Sequence, residues 1–220
     1  MFEATKIISE NNDWITIVFI VILLILALVR ILFNDRLYNT NTLFLSKKYL
    51  SIYFNKEKNQ HSKIFNSLLY FVQVLTLSLV FYLSAIYFQL QFKVQEFNLY
   101  VLFLLGVSLY LFVRYLIVLV LAFIFDLKNA QKRIIFEKRN YFSNLVLWLL
   151  PFLVLSVFIH KYEKPLFEIT FTLFALLIIL RYGLLLLNNK KLILNNLFYF
   201  ILYICALEIA PLIIILKLTI

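Results

Sequence analysis

The sequence predicts an all-α, polytopic integral membrane protein, a bundle of six transmembrane helices forming a single transmembrane domain over residues 1–220. Two observations carry that class. Hydrophobic side chains make up 64% of the chain and charged ones 15%, where soluble domains run near 45–50% apolar and about 25% charged; mean hydropathy is +0.95. The apolar residues also fall in continuous runs, and a bilayer-spanning helix needs roughly 20 of them at about 1.5 Å rise each. A transmembrane barrel would show short alternating segments instead. Backbone amides in hydrocarbon must be bonded internally, which leaves helices as the natural answer. An aromatic content of 18% excludes disorder, and a lone cysteine, Cys205, excludes a disulfide framework or a cysteine-based metal site.

The first span is expected at about residues 14–33. The stretch before it carries one lysine, Lys6, against Glu3, Glu10 and Asp13, the wrong sign for a secretory leader, so the span is expected to be kept. The second, about 67–88, holds Gln73, Ser78 and Ser84, which suit interhelical hydrogen bonds. The third is about 99–125. The fourth, about 144–160, is the shortest and contains Pro151. The fifth is about 166–187. The sixth, about 196–217, follows Asn195 and contains Asn196, Glu208 and Pro211. Pro151 and Pro211 are candidate helix kinks, and Pro211 frees the carbonyl of Leu207 beside the acid.

The longest expected loop, residues 34–66, is too short to build a core of its own. Within it Leu45, Tyr49, Ile52 and Tyr53 recur at helical spacing, which fits a short interfacial helix or a loop whose aromatics touch headgroups. Residues 55–63 read as solvated turn or loop. The next loop, residues 126–142, mixes Ile134, Ile135 and Phe136 with five bases, suited to anchoring on lipid or docking a cytoplasmic partner.

Basic residues set the orientation. Thirteen of the 21 fall in the loops joining spans one to two, three to four and five to six, from Arg36 to Lys191. Lys6, Lys93, Lys161, Lys164 and Lys217 lie on the other side. Basic loops stay cytoplasmic, so both termini are expected outside the cytoplasmic membrane, in the periplasm of a two-membrane cell. The net charge of +10 is explained by attraction to anionic membrane lipids and requires no nucleic acid.

Charges inside spans carry the remaining information, because each costs at least about 2.5–3.5 kcal/mol near the bilayer centre and so faces the interior. Arg114 and Glu208 are expected at matching mid-depth and form a candidate ion pair. That pair is either a latch fixing helix register or a site for a substrate, ion or proton. Arg181 lies nearer the inner end of its span, where its stem can also snorkel to the headgroups. Glu168 lies near the outer end of the same span. Arg114-Tyr115 and Arg181-Tyr182 recur on two inward-running spans, and Arg30 sits on the third, a hint of repeated hairpins.

Catalytic chemistry has little to work with. His61 and His160 fall on opposite sides and cannot share a metal, no nucleophile elbow occurs, and neither Gly106 nor Gly183 lies in a phosphate-cradling loop. The expectation is a non-enzyme with no catalytic residue, no metal and no cofactor. Two glycines are also poor material for the broken, rocking helices of carriers. The favoured function is a subunit or assembly scaffold of an envelope complex, with other inner-membrane proteins as partners. The alternative is a transporter or channel for a small ion or lipid-linked anion using Arg114, Arg181 and Glu208.

Asn12-Asp13-Trp14 and the closing run from Phe198 to Leu212, above all Ala206-Leu207-Glu208-Ile209-Ala210-Pro211, resemble an uncharacterised family of polytopic inner-membrane proteins of Bacteroidota. The resemblance covers nearly the whole chain. It implies an inner-membrane envelope protein, with secretion or gliding machinery as a conceivable partner, and it supplies no activity.

Overall fold

The computed structural model describes residues 13–44, 50, 53–54, 60–88, 95–124, 128–159 and 163–188. The expected sixth span, with Glu208 and Pro211, lies outside the described residues, as does most of the expected interfacial segment around residues 45–52. Among the described residues the elements are helices and no strand occurs: α1 (Asp13–Asn41), α2 (Gln60–Tyr87), α3 (Glu96–Ile124), α4 (Lys128–Phe158) and α5 (Glu163–Asn188). All five are long and apolar enough to cross a membrane.

α1 is two helical segments joined at Phe33, whose backbone (φ −142°, ψ 43°) leaves the helical region. The break falls where the apolar run ends and Asn34-Asp35-Arg36 begins. Helix then continues to Asn41, so part of the expected loop is helical. The Phe33 ring packs edge-on against Phe65 of α2, centroids 5.6 Å apart. α2 likewise starts at Gln60, earlier than the expected span, so residues 60–63 are helix and not loop.

The larger correction concerns α4. The sequence reading gave a short span from residue 144, preceded by a cytoplasmic loop. The structure makes residues 128–158 one helix, at 31 residues the longest described. Its polar first half is not a lipid-anchored loop. Phe136, Glu137 and Asn140 are each 1% exposed, packed into the bundle. Hydropathy alone misjudges such a segment, since the Lys138 carbonyl and the Tyr141 hydroxyl find partners on α5 and Asn140 bonds back to the Phe136 carbonyl. Pro151 lies on an exposed face of α4, and helix continues on both sides of it.

α2 and α4 form the centre. In its most apolar window α2 is 67% buried, whereas α3 is 11% buried. α3 packs chiefly on α2, α5 chiefly on α4, and α1 lies against both central helices. Neighbours in sequence run antiparallel. At one end Trp14 of α1 meets Tyr82 of α2 (4.9 Å) and Tyr100 of α3 (5.1 Å), and Phe19 meets Phe158 of α4 (5.9 Å). Tyr87 of α2 donates its hydroxyl to Glu168 of α5 at 3.1 Å at this same end. The opposite end gathers the C-terminal part of α1, the start of α2, the basic first half of α4 and the end of α5; it is called the basic end below.

One apolar cluster fills the bundle from the aromatic end inward, built on Ile15, Phe19, Ile22, Leu79, Leu149 and Leu153 among others. The outer faces of α1, α3 and α5 leave large side chains exposed, such as Ile31, Leu109 and Ile179. Hydrocarbon is as apolar as these side chains, so close packing and interhelical hydrogen bonds, rather than water exclusion, hold such a bundle together.

Candidate functional site

Buried polar groups are spread through the half of the bundle toward the basic end. On α1 and α5, Arg36 and Arg181 lie between two apolar clusters. On the side of the aromatic end is the main core, reaching Leu145 of α4 and Leu177 of α5. Toward the basic end a second cluster joins Leu43, Leu50, Phe136 and Tyr141, with Tyr53, Phe54, Leu184 and Leu185 against it.

Four helices contribute. On α1, Arg36 is 7% exposed and donates from Nη1 to the Ser62 hydroxyl of α2 at 2.7 Å. Its guanidinium carbon lies 4.4 Å from the Phe65 ring centroid and 5.4 Å from that of Tyr53. Such cation–π contacts strengthen when water is excluded. Gln73 of α2 donates from Nε2 to the Ser143 hydroxyl of α4 at 2.7 Å, and the Ser143 hydroxyl in turn donates to the Arg139 carbonyl at 3.1 Å. Arg181 of α5 is 5% exposed and donates from Nη2 to the Lys138 carbonyl of α4 at 3.2 Å, with its guanidinium carbon 4.6 Å from the Phe142 ring centroid. Asn188 of α5 donates to the Tyr141 hydroxyl at 2.7 Å.

Each of these helix interfaces thus carries a polar strut, staggered along the bundle: α1 to α2, α2 to α4, α4 to α5. In a low-dielectric interior such bonds gain strength, and an unmet polar group is correspondingly costly. Two serines of α2 bond back along their own helix. Ser84 bonds back to Phe81 at 2.7 Å and Ser78 to Leu75 at 2.9 Å, each on its own helix. Of the three polar residues expected to bridge helices from α2, Gln73 is the one whose bond reaches α4.

The anticipated site residues are distributed unevenly. Arg181 is inside the bundle, held by α4, rather than snorkelling outward. Arg114 is half-buried on α3. Its expected partner Glu208 lies outside the described residues. Arg30 is exposed on α1, so the three arginines of the suspected hairpin repeat occupy three different environments. Sequence reasoning missed Arg36, Glu137, Lys138 and Asn140, which lay in segments read as loops, and Ser143, at the border between the expected loop and the fourth span. Their signal was present: from Phe136 onward the polar Asn140, Ser143 and Asn144 recur at helical spacing and run directly into the apolar Leu145 and Leu149. Among the described residues no group of three or more His, Cys, Asp or Glu is placed to hold a metal ion.

Five long apolar helices around buried polar groups define the class, a helical bundle compatible with multi-pass membrane insertion. A family model described as Domain of unknown function (DUF4271) matches residues 15–219, and the chain belongs to that family. No curated protein and no solved structure matches the chain.

Proposed function

We propose that this protein is a non-enzymatic, integral subunit or assembly scaffold of a bacterial envelope complex, set in the cytoplasmic membrane. In this reading the basic end faces the cytoplasm, a sixth span completes the bundle, and both termini face outward. A cell of the Bacteroidota type, with its two membranes, is the setting. Among the described residues the basic end carries Arg36, Lys63, Lys128, Lys132, Arg133, Lys138 and Arg139, as a cytoplasmic face should.

One observation carries the scaffold reading. The buried polar groups tie helices to one another, as in Arg36–Ser62, Gln73–Ser143 and Arg181–Lys138, and so brace the half of the bundle toward the basic end at several depths. A carrier needs an interface that can repack between two arrangements, and cross-bracing of α1, α2, α4 and α5 opposes that. A rigid body with long apolar outer faces on α1, α3 and α5 is suited to hold other membrane helices. The second reading, a channel or carrier for a small ion or lipid-linked anion, draws its support from the burial of Arg181 inside the bundle.

Gentle detergent extraction of the chromosomally tagged protein tests the choice. The scaffold reading expects a second inner-membrane protein at fixed stoichiometry that survives gel filtration. Recovery of the chain alone, or only with copies of itself, would overturn it.

A further inference from the structure

The buried polar groups include hydrogen-bonding positions that no protein group fills. Asn144 of α4 is 0% exposed, and neither its Oδ1 nor its Nδ2 meets a partner. On α5, Asn188 gives its Nδ2 to the Tyr141 hydroxyl, while its buried Oδ1 stays open. Tyr141 precedes Asn144 by three residues, so the two share a face of α4. Buried polar side chains in folded proteins are nearly always satisfied, by protein or by ordered water.

The open positions specify what fits. Both acceptors and donors are left over: two amide oxygens and the Asn144 amide protons. Turning either carboxamide over exchanges oxygen for nitrogen but still leaves both kinds. An anion would answer only the donors. A cation would answer only the acceptors and leave the Asn144 amide protons unmet. A small neutral group that both donates and accepts answers all of them, and the smallest is water, which when buried makes about three hydrogen bonds.

We propose that the bundle interior around Asn144 is an internal hydration site, where occluded water bonds the Asn144 carboxamide and, beside Tyr141, the open Oδ1 of Asn188. On the far side the dry core of Leu145, Leu149 and Leu153 closes it, each no more than 1% exposed. The inference stands apart from the scaffold reading, since a braced bundle and a carrier can both hold such water.

X-ray radiolytic footprinting of the full chain in lipid nanodiscs tests it. Hydroxyl radicals form in place from bound water and mark adjacent rings even where bulk solvent is excluded. Tyr141 and Phe19 are both buried, at 0% and 3% exposure, and Phe19 sits in the main apolar core with Ile15 and Ile22. Tyr141 should oxidise several-fold faster than Phe19. Asn144→Leu should bring Tyr141 down to the Phe19 rate, and Asn144→Ser should keep most of the difference. Equal rates for Tyr141 and Phe19 in the unmodified protein would overturn the proposal, whether or not the leucine variant folds. A folded Asn144→Leu protein with an unchanged Tyr141 rate would overturn it equally.

Discussion

The carboxamide of Gln73 and the hydroxyl of Ser143 meet at 2.7 Å across the two central helices, 70 residues apart in the chain. Gln73 is 4% and Ser143 3% exposed, so neither has solvent to fall back on. Ser143→Ala should leave the amide of Gln73 buried without its acceptor and cost about 1–3 kcal/mol. Gln73→Leu in that background should recover part of the loss. A double-mutant cycle followed by denaturant unfolding in micelles should give a coupling of about 0.6 kcal/mol, the mean for interhelical bonds in a membrane bundle.

Arg181 binds the Lys138 carbonyl and lies over the Phe142 ring at once. A planar guanidinium can do both, whereas an ammonium is a point charge on a flexible stem. Arg181→Lys should therefore destabilise the bundle by about 1.5–3 kcal/mol, the worth of a hydrogen bond to a charged group. The lowered thermal midpoint of the purified variant checks this. A variant as stable as the parent would show that charge alone matters at this position.

Packing gives a contrast between two leucines. Leu149 is 0% exposed in the main core, and Leu109 of α3 is 66% exposed. Leu149→Ala should cost about 2–5 kcal/mol through the cavity it leaves. Leu109→Ala should change stability little, since lipid fills the space. Comparing the two by thermal unfolding separates bundle interior from bilayer-facing surface.

Gly106 lies in the middle of α3 with nothing within 4 Å of where a Cβ would stand. No close helix crossing requires it, so Gly106→Ala should raise stability by up to about 1 kcal/mol through backbone entropy. A loss of stability on that substitution would point to a helix docking closely on α3.

Much of this architecture was legible in the residues. Continuous apolar runs located all five described helices, and the first span was expected to end at Phe33, where α1 breaks. What the sequence concealed is the extent of α4. Residues 128–142 are too polar to read as part of a span, and the burial of those from Phe136 onward depends on groups far away in sequence. Ser143 meets Gln73 on α2, Tyr141 meets Asn188 on α5, and the Lys138 carbonyl meets Arg181. Arg36 was hidden in the same way, since its partners Ser62 and Phe65 come from another helix. Local hydropathy records the desolvation cost of a polar side chain but not the partner that offsets it. Arg181 stood out because an arginine amid aliphatic neighbours is conspicuous wherever its partner lies.

The central claim is that these helices cross a bilayer with the basic end in the cytoplasm. Lys63 and Glu96 are both exposed and stand near the starts of α2 and α3, so the whole of α2 separates them. At ~1.5 Å rise per residue a helix of that length exceeds the thickness of the hydrocarbon core. The most direct measurement is labelling of Lys63→Cys and Glu96→Cys, each in a Cys205→Ser background, with a membrane-impermeant maleimide on intact spheroplasts and on inverted vesicles. The account expects Glu96→Cys to react only in spheroplasts and Lys63→Cys only in inverted vesicles. Labelling of both positions from the same side would contradict it.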